Sequence, residues 1–263
     1  MPLPTDAYLQ KLAARFDNED IRGVTMSGSF ARGEGGPFSD VDLWIYAREG
    51  CSGEFGMPRL EFIDGFLVST FKTTLEKEYA SLQDPERAIW VIPGLRQARI
   101  LLDKDGALAT LKETARNLTW ESLQPAANAY ASRCLAATAE EVYKILDGLA
   151  RANESKTLYA IWSLTRNLAD ALLVKHGTLI PTENKYMDLV QATAGQTSSW
   201  THQFRLAVGL DPLPQVKPAF FGLGTAGLAL YRQTAVLLKT DLTPEDARII
   251  EGTLRVMTEA GYG

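Results

Sequence analysis

Two aspartates, Asp40 and Asp42, stand one residue apart directly after a glycine-rich stretch, and their type and spacing are typical of chemistry on phosphates. On a strand, residues two apart project from the same face, so the two carboxylates would lie together while Val41 and Leu43 point the other way. Two adjacent carboxylates repel. A divalent cation such as Mg²⁺ relieves that repulsion, because it binds carboxylates together with substrate phosphate oxygens. The pair therefore predicts a Mg²⁺ site.

The stretch before the pair, GSFARGEGGPFS from Gly28 to Ser39, predicts a turn that can hold a phosphate. Its glycines allow a tight backbone turn, which leaves main-chain amides and the Ser29 hydroxyl pointing outward. A glycine turn or an Asp-x-Asp pair alone is common in surface loops. A phosphate-binding turn beside a carboxylate pair is the arrangement that metal-assisted phosphoryl or nucleotidyl transfer requires.

The block MSGSFARGEGGPFSDVDLWIYA resembles the signature of the DNA polymerase β nucleotidyltransferase superfamily, in which a Gly-Ser turn precedes Asp-x-Asp or Asp-x-Glu by about ten residues. It is most similar to the small bacterial lincosamide and aminoglycoside nucleotidyltransferases, which carry antibiotic resistance. FKTTLEKEYASLQDPERAIWVIPGLRQARILLDKDGALATLKETAR and HGTLIPTENKYMDLV add weaker resemblances. The matching residues of the first block are Gly28, Ser29, Gly33, Ser39, Asp40 and Asp42.

The resemblance implies transfer of a nucleoside monophosphate, usually AMP from ATP, onto a hydroxyl of a small molecule, with Mg²⁺ bound and pyrophosphate released. It also implies a homodimer. In that scheme Asp40 and Asp42 bind the metal and Arg32 adds positive charge. Lys185 matches a lysine near the nucleotide, with a solvated surface lysine as the alternative. The triphosphate would be held by Gly28, Ser29 and Ser39.

Relatives of this kind carry a third carboxylate on a later strand, but the stretch from Gly65 to Leu75 contains no acid. Ser69 or Thr70 stands at that position, and the sequence leaves the register between them open. We expect Glu61, on the preceding strand, to substitute as the catalytic base, with a solvated glutamate at the strand edge as the alternative. The alternative is a catalytically weak or inactive nucleotide-binding homologue with a regulatory role. Other acids that could supply a base are Asp64, Glu76, Glu140 and Glu141.

Hydrophobic periodicity predicts an α+β fold with two domains. The first, residues 1–106, is a nucleotidyltransferase-fold domain with a mixed sheet flanked by helices, and the second, residues 107–263, is an α-helical bundle. Asp64-Gly65 predicts a two-residue hairpin turn. Strands are predicted at 23–27, 41–47, 60–63, 66–71 and 98–102, and helices from the Thr5 cap to about 18 and at 75–82, 126–149 and 153–176.

The composition limits the partners. A net charge of -5 argues against broad contact with nucleic acid and suits a small cationic acceptor. No apolar run is long enough for a membrane span, and the N-terminus lacks the layout of a signal peptide, so we expect a cytoplasmic protein. Cys51 and Cys134 are expected to be free thiols.

Overall fold

The computed structural model describes residues 3–51, 57–213 and 218–263. It divides into two compact units. The first comprises Met1–Ser122 together with Leu179–Thr182, and the second comprises Leu123–Thr178 and Glu183–Gly263. The first unit contains a five-stranded mixed sheet with helices, and the second is helical, which confirms the predicted α+β fold class.

The sheet of the first unit has the strand order β3-β4-β2-β1-β5. Strand β2 pairs antiparallel with β1 and parallel with β4, so it lies in the middle of the sheet. The strands are β1 (Ile21–Ser27), β2 (Val41–Ala47), β3 (Arg59–Ile63), β4 (Phe66–Thr74) and β5 (Arg99–Asp103). The helices of this unit are α1 (Asp6–Ala14), α2 (Gly28–Ala31), α3 (Leu75–Gln83), α4 (Pro85–Gln97) and α5 (Ala107–Asn117).

A two-residue turn joins β3 to β4. Both of its residues, Asp64 with φ 50° and Gly65 with φ 87°, are left-handed, as the right-handed twist of a two-residue hairpin requires. The hairpin predicted from Asp64-Gly65 is therefore present, although β4 continues three residues beyond the predicted end at Phe71.

Helix α1 covers one face of the sheet. The Thr5 hydroxyl caps it by accepting a hydrogen bond from the Tyr8 amide at 3.2 Å, and the helix ends at Ala14, four residues before the predicted end. Its apolar side packs on the alternate residues of the strands that face it. The core on this side includes Leu9, Leu12, Val24, Met26, Val41, Leu43, Ile45, Ile63 and Val68.

Helices α3, α4 and α5 lie on the other side, where Glu78 of α3 accepts a hydrogen bond from Thr73 of β4 at 2.9 Å. Helix α4 was not predicted, because Pro93 and Gly94 inside it read as helix breakers. The predicted domain boundary at residue 106 would assign α5 to the helical bundle. The structure instead packs α5 on β5 and α4, and the first unit extends to Ser122.

The second unit consists of helices. The sequence predicts one helix over 126–149, whereas the structure has two, which meet at Thr138. The Thr138 hydroxyl donates to the Cys134 carbonyl at 2.6 Å, a back-bond to the preceding turn that bends helices. The helices are α6 (Gln124–Ala137), α7 (Ala139–Ala150), α8 (Glu154–Lys175), α9 (Tyr186–Ala194), α10 (Ser199–Ala207), α11 (Ala219–Leu237) and α12 (Pro244–Glu259).

Two expectations from composition can be compared with the described residues. Cys51 and Cys134 are free thiols, as predicted. None of the described helices combines the length and apolar character that crossing a membrane requires.

Candidate active site

A polar row crosses three neighbouring strands at one end of the sheet. Asp42 of β2 pairs with Ser27 of β1 on one side and with Ser69 of β4 on the other. Directly paired residues of neighbouring strands project to the same face, so the carboxylate lies between two hydroxyls. All three residues are partly buried. We call the face that carries this row the site face; it is the face opposite α1.

The turn after β1 brings the main chain against the Asp42 carboxylate. Gly28 begins this turn with φ +69°, a conformation that residues with side chains rarely adopt. A Cβ atom at Gly28 would also collide with Oδ2 of Asp42. Glycine is thus required here twice, for its backbone angle and for the space it leaves to the carboxylate.

The serines of the glycine-rich stretch have different surroundings. The Ser29 carbonyl accepts from the Glu34 amide at 2.9 Å, which folds the chain back after α2. The Ser39 hydroxyl accepts from the Gly36 amide at 3.0 Å, and the Ser39 amide donates to the Gly36 carbonyl at 3.1 Å. Ser39 therefore closes the loop that leads into Asp40, which stands just before β2 and is partly buried.

Arg32 follows the last residue of α2, and its guanidinium forms an ion pair with Glu34. Its Nε is 2.7 Å from Glu34 Oε2, and its Nη1 donates to the Pro181 carbonyl at 3.5 Å. Only 13% of the side chain is exposed. To add positive charge to a bound phosphate, the guanidinium would have to exchange Glu34 for the phosphate oxygens.

The register of β4 selects between the two residues that could replace the third carboxylate. Ser69 is level with Asp42 and shares its face. Thr70 is level with Leu43 and projects to the α1 face, where its hydroxyl donates to the Arg59 carbonyl at 3.2 Å. The position on β4 that lies level with Asp42 is therefore occupied by Ser69.

Glu61, the predicted base, requires a correction. It pairs with Val68, and Val68 is level with Val41, so Glu61 projects to the α1 face. The residue of β3 that shares the site face with Asp42 is Leu60. The structure does not bring Glu61 close to Asp42. Leu60, one residue earlier in β3, occupies the position that faces the same side as Asp42.

The remaining nearby acids, Asp64 and Glu76, are exposed. Asp64 lies in the hairpin turn, with its carboxylate 3.8 Å from Lys11 Nζ. Glu76 lies in the first turn of α3, at the end of β4 remote from Ser69. Neither belongs to the row of Ser27, Asp42 and Ser69.

Sequence reasoning missed a buried acid on the site face, Glu78 of α3. It is 5% exposed and accepts a hydrogen bond from Thr73, which is level with the buried Tyr46. Burial raises the pKa of Glu78, and the hydrogen bond from Thr73 partly opposes that rise. The sequence contained a signal for this burial: Glu78 lies at helical spacing from Leu75 and Leu82, on the apolar face of α3.

Aromatic rings separate Glu78 from the polar row. Trp44 and Phe71, which follow Asp42 and Ser69 by two residues on the same face, pack with ring centroids 4.3 Å apart. Glu78 and Tyr46 lie beyond them, where burial, and after it the charge of the Glu78 carboxylate, raise the pKa of the Tyr46 hydroxyl. The site face therefore has a polar end and a covered end.

A divalent cation fits the donor chemistry of the polar end. Asp40 and Asp42 are oxygen donors of the kind that Mg²⁺ prefers, and the missing side chain of Gly28 lets the Asp42 carboxylate lie directly against the glycine turn. Among the described residues no group of three or more His, Cys, Asp or Glu is arranged to hold a metal. The remaining ligands would have to come from phosphate oxygens and water.

The other residues predicted for the site, Lys185, Glu140 and Glu141, belong to the second, helical unit. Lys185 ends a 3-10 turn, Glu183–Lys185, and is exposed. Glu140 is exposed and lies 2.8 Å from Lys144 Nζ; the hydrogen bond from Lys144 lowers the pKa of Glu140. Glu141 is buried, with one carboxylate oxygen 3.1 Å from the same ammonium.

Residues 8–88 match the family model described as a nucleotidyltransferase domain, a segment that includes the glycine turn, both aspartates and Ser69. A nucleotidyltransferase-like protein from Exiguobacterium sibiricum 255-15 has a similar fold, with a TM-score of 0.50 and 14% identity over 89% of this chain and 75% of that one. No curated protein matched. These matches support the nucleotidyltransferase superfamily and, in general terms, a nucleotidyl transfer activity.

Proposed function

We propose that this protein is a Mg²⁺-dependent nucleotidyltransferase that moves AMP from ATP onto a hydroxyl of a small-molecule acceptor. The observation that carries the proposal is the Gly28 turn, which holds main-chain atoms against the Asp42 carboxylate. Triphosphate and metal would meet at that contact. We further propose an aminoglycoside or lincosamide antibiotic as the acceptor, a cytoplasmic location and no nucleic acid partner, since a net charge of -5 favours a small cationic ligand.

The residues of the polar end have distinct roles in this proposal. Asp40 and Asp42 hold the cation, which supplies charge neutralisation and alignment of the phosphates. The turn at Gly28 and the hydroxyl of Ser29 bind the triphosphate. Ser39 keeps the loop before Asp40 closed.

The proposed reaction is a displacement at the α-phosphorus of ATP. The acceptor oxygen forms a bond to this phosphorus, and the bond from the phosphorus to the bridging oxygen of the β-phosphate breaks. Pyrophosphate leaves with the electron pair. The proton of the acceptor hydroxyl passes to water, because Ser69, which is level with Asp42, cannot accept a proton at neutral pH as a carboxylate can.

Ser69 also favours a second candidate function, a nucleotide-binding homologue with a regulatory role and little or no transfer. In this case Asp40, Asp42 and the Gly28 turn bind the nucleotide and its metal, and the site has lost the group that activates the acceptor. The two candidates share their binding residues and differ only in whether a product forms.

One experiment separates the candidates. ATP binding is measured by calorimetry with and without Mg²⁺, and pyrophosphate release is followed against a panel of aminoglycosides and lincosamides, with mass spectrometry of every acceptor. A mass gain of one AMP on one compound supports transfer. Metal-dependent binding without product across the panel supports the regulatory candidate. Absence of metal-dependent nucleotide binding would contradict both.

A further inference from the structure

Strand β3 forms an open edge of the sheet. Among the described residues it pairs with β4 on one side and with no strand on the other. Its first four residues are exposed, and two of them are large and apolar: Leu60 is 61% exposed and Phe62 is 76% exposed. An exposed edge that carries apolar side chains is a template for pairing with another strand.

The two faces of β3 differ in chemistry. Leu60 pairs with Ser69 and Phe62 pairs with Leu67, so the two apolar side chains project to the site face. Arg59 and Glu61 alternate with them and project to the α1 face. The strand therefore carries an apolar stripe on one face and one positive and one negative charge on the other.

We infer that two copies of this chain pair antiparallel through β3, with a two-fold axis at Leu60. The axis must run normal to the sheet and through a residue, because only then does each face continue from one subunit into the other. With the axis at Leu60, this side chain meets Leu60 of the partner subunit, and Arg59 lies opposite Glu61 of the partner subunit. Opposite charges on directly paired residues stabilise an antiparallel pair.

The charges exclude the neighbouring registers. An axis at Arg59 would place two arginines opposite each other, and an axis at Glu61 would place two glutamates there, which destabilises the pairing. An axis at Phe62 would set Glu61 against the partner's Ile63. Only the axis at Leu60 matches both charges and continues the apolar stripe, and this self-complementarity identifies the occupant of the edge as a second copy.

The test is sedimentation velocity of the full chain over a concentration series, without nucleotide, so that it does not depend on the proposed function. We expect the mass to rise from 28.9 kDa toward twice that value with concentration. Arg59→Glu and Glu61→Arg should each abolish the rise, because each places like charges opposite one another. The double variant Arg59→Glu/Glu61→Arg should restore it.

Two further variants keep the result interpretable. Arg116→Glu reverses an exposed charge of α5 and should leave the association unchanged. Leu60→Glu places two carboxylates at the axis and should abolish association independently of Arg59. Thermal melting checks that every variant is folded. A wild-type chain that stays at 28.9 kDa, or single reversals that leave its association unchanged, would overturn the inference, as would a double variant that remains monomeric.

Discussion

The two sides of the polar row differ in what they offer a substrate. On the β1 side, the Gly28 turn lies against Asp42, which is the arrangement that metal and phosphate binding need. On the β4 side, the position level with Asp42 is a serine, and the next strand contributes Leu60. In the proposed function, binding of a nucleotide and activation of an acceptor therefore depend on different strands of the sheet. Single substitutions can alter one side at a time.

The largest effect is expected from Asp42→Asn on the β1 side. Removing a carboxylate of the proposed metal site should weaken Mg²⁺-dependent ATP binding by at least about 100-fold, roughly 2.7 kcal/mol, and should abolish any transfer. Calorimetry with and without Mg²⁺ measures the loss. Asp20→Asn, the same chemical change at an exposed position before β1, should bind like the wild type. Unchanged binding in Asp42→Asn would remove Asp42 from the metal site.

On the β4 side, Ser69→Asp should restore a carboxylate to the row. If the protein transfers AMP, we expect turnover to rise by about 100-fold, because a positioned proton acceptor contributes on that scale. Pyrophosphate release with the acceptor identified by mass spectrometry measures the gain.

Thr70→Asp is the matched control, because it adds the same charge one residue further along, on the α1 face. It should leave turnover at the wild-type level. Equal gains in the two variants would show that the register does not matter and would contradict the assignment of Ser69.

Gly28→Ala tests the contact between the turn and Asp42. Both Gly28 and Gly33 have positive φ, so alanine at either should cost about 1–2 kcal/mol of folding free energy through backbone strain. Only at Gly28 would the new methyl group also meet a carboxylate, whereas nothing lies within 4 Å at Gly33. Gly28→Ala should therefore be the less stable variant in chemical denaturation.

Nucleotide binding gives the second readout of this pair. Gly28→Ala should lose ATP binding because the methyl group displaces the Asp42 carboxylate, and Gly33→Ala should retain it. If both variants bind ATP equally well, the close approach at Gly28 has no part in binding.

Local signals and long-range pairing differ in how far the sequence predicts them. Strand β2 was predicted to the residue, and so was the hairpin turn at Asp64-Gly65, because alternation and turn chemistry are encoded within a few residues. The glycine turn and the aspartates were recognised for the same reason. These features include the residues to which the proposed function assigns binding.

The residue of β4 that lies level with Asp42 was harder to predict, because its identity depends on the pairing between strands. A shift of one residue moves a side chain to the other face of a sheet, so the choice between Ser69 and Thr70, and the placement of Glu61, required the register. Helix α4 was missed for a different reason: Pro93 and Gly94 inside it oppose helix locally, and tertiary packing overrides them.

The smallest effect is expected at the covered end of the site face, where Glu78 is buried beside Tyr46. Burial raises the pKa of Glu78 in the folded protein above its unfolded value of 4.5, so the folded state binds this proton more tightly. The contribution of Glu78 to the free energy of unfolding is therefore fully present below pH 4.5, and it is lost as the pH rises through the pKa of the folded state.

Glu78→Gln keeps an oxygen that can accept the Thr73 hydrogen bond and cannot ionise. We expect the variant to gain stability over the wild type as the pH rises above 4.5 and to lose that advantage below it. The melting temperature is measured for both proteins across this range; each kcal/mol corresponds to about 2–4 °C for a chain of this size. A constant difference at all pH values would mean that Glu78 titrates alike in the folded and unfolded chains. ATP binding should stay at the wild-type level, because the rings of Trp44 and Phe71 separate Glu78 from the polar row.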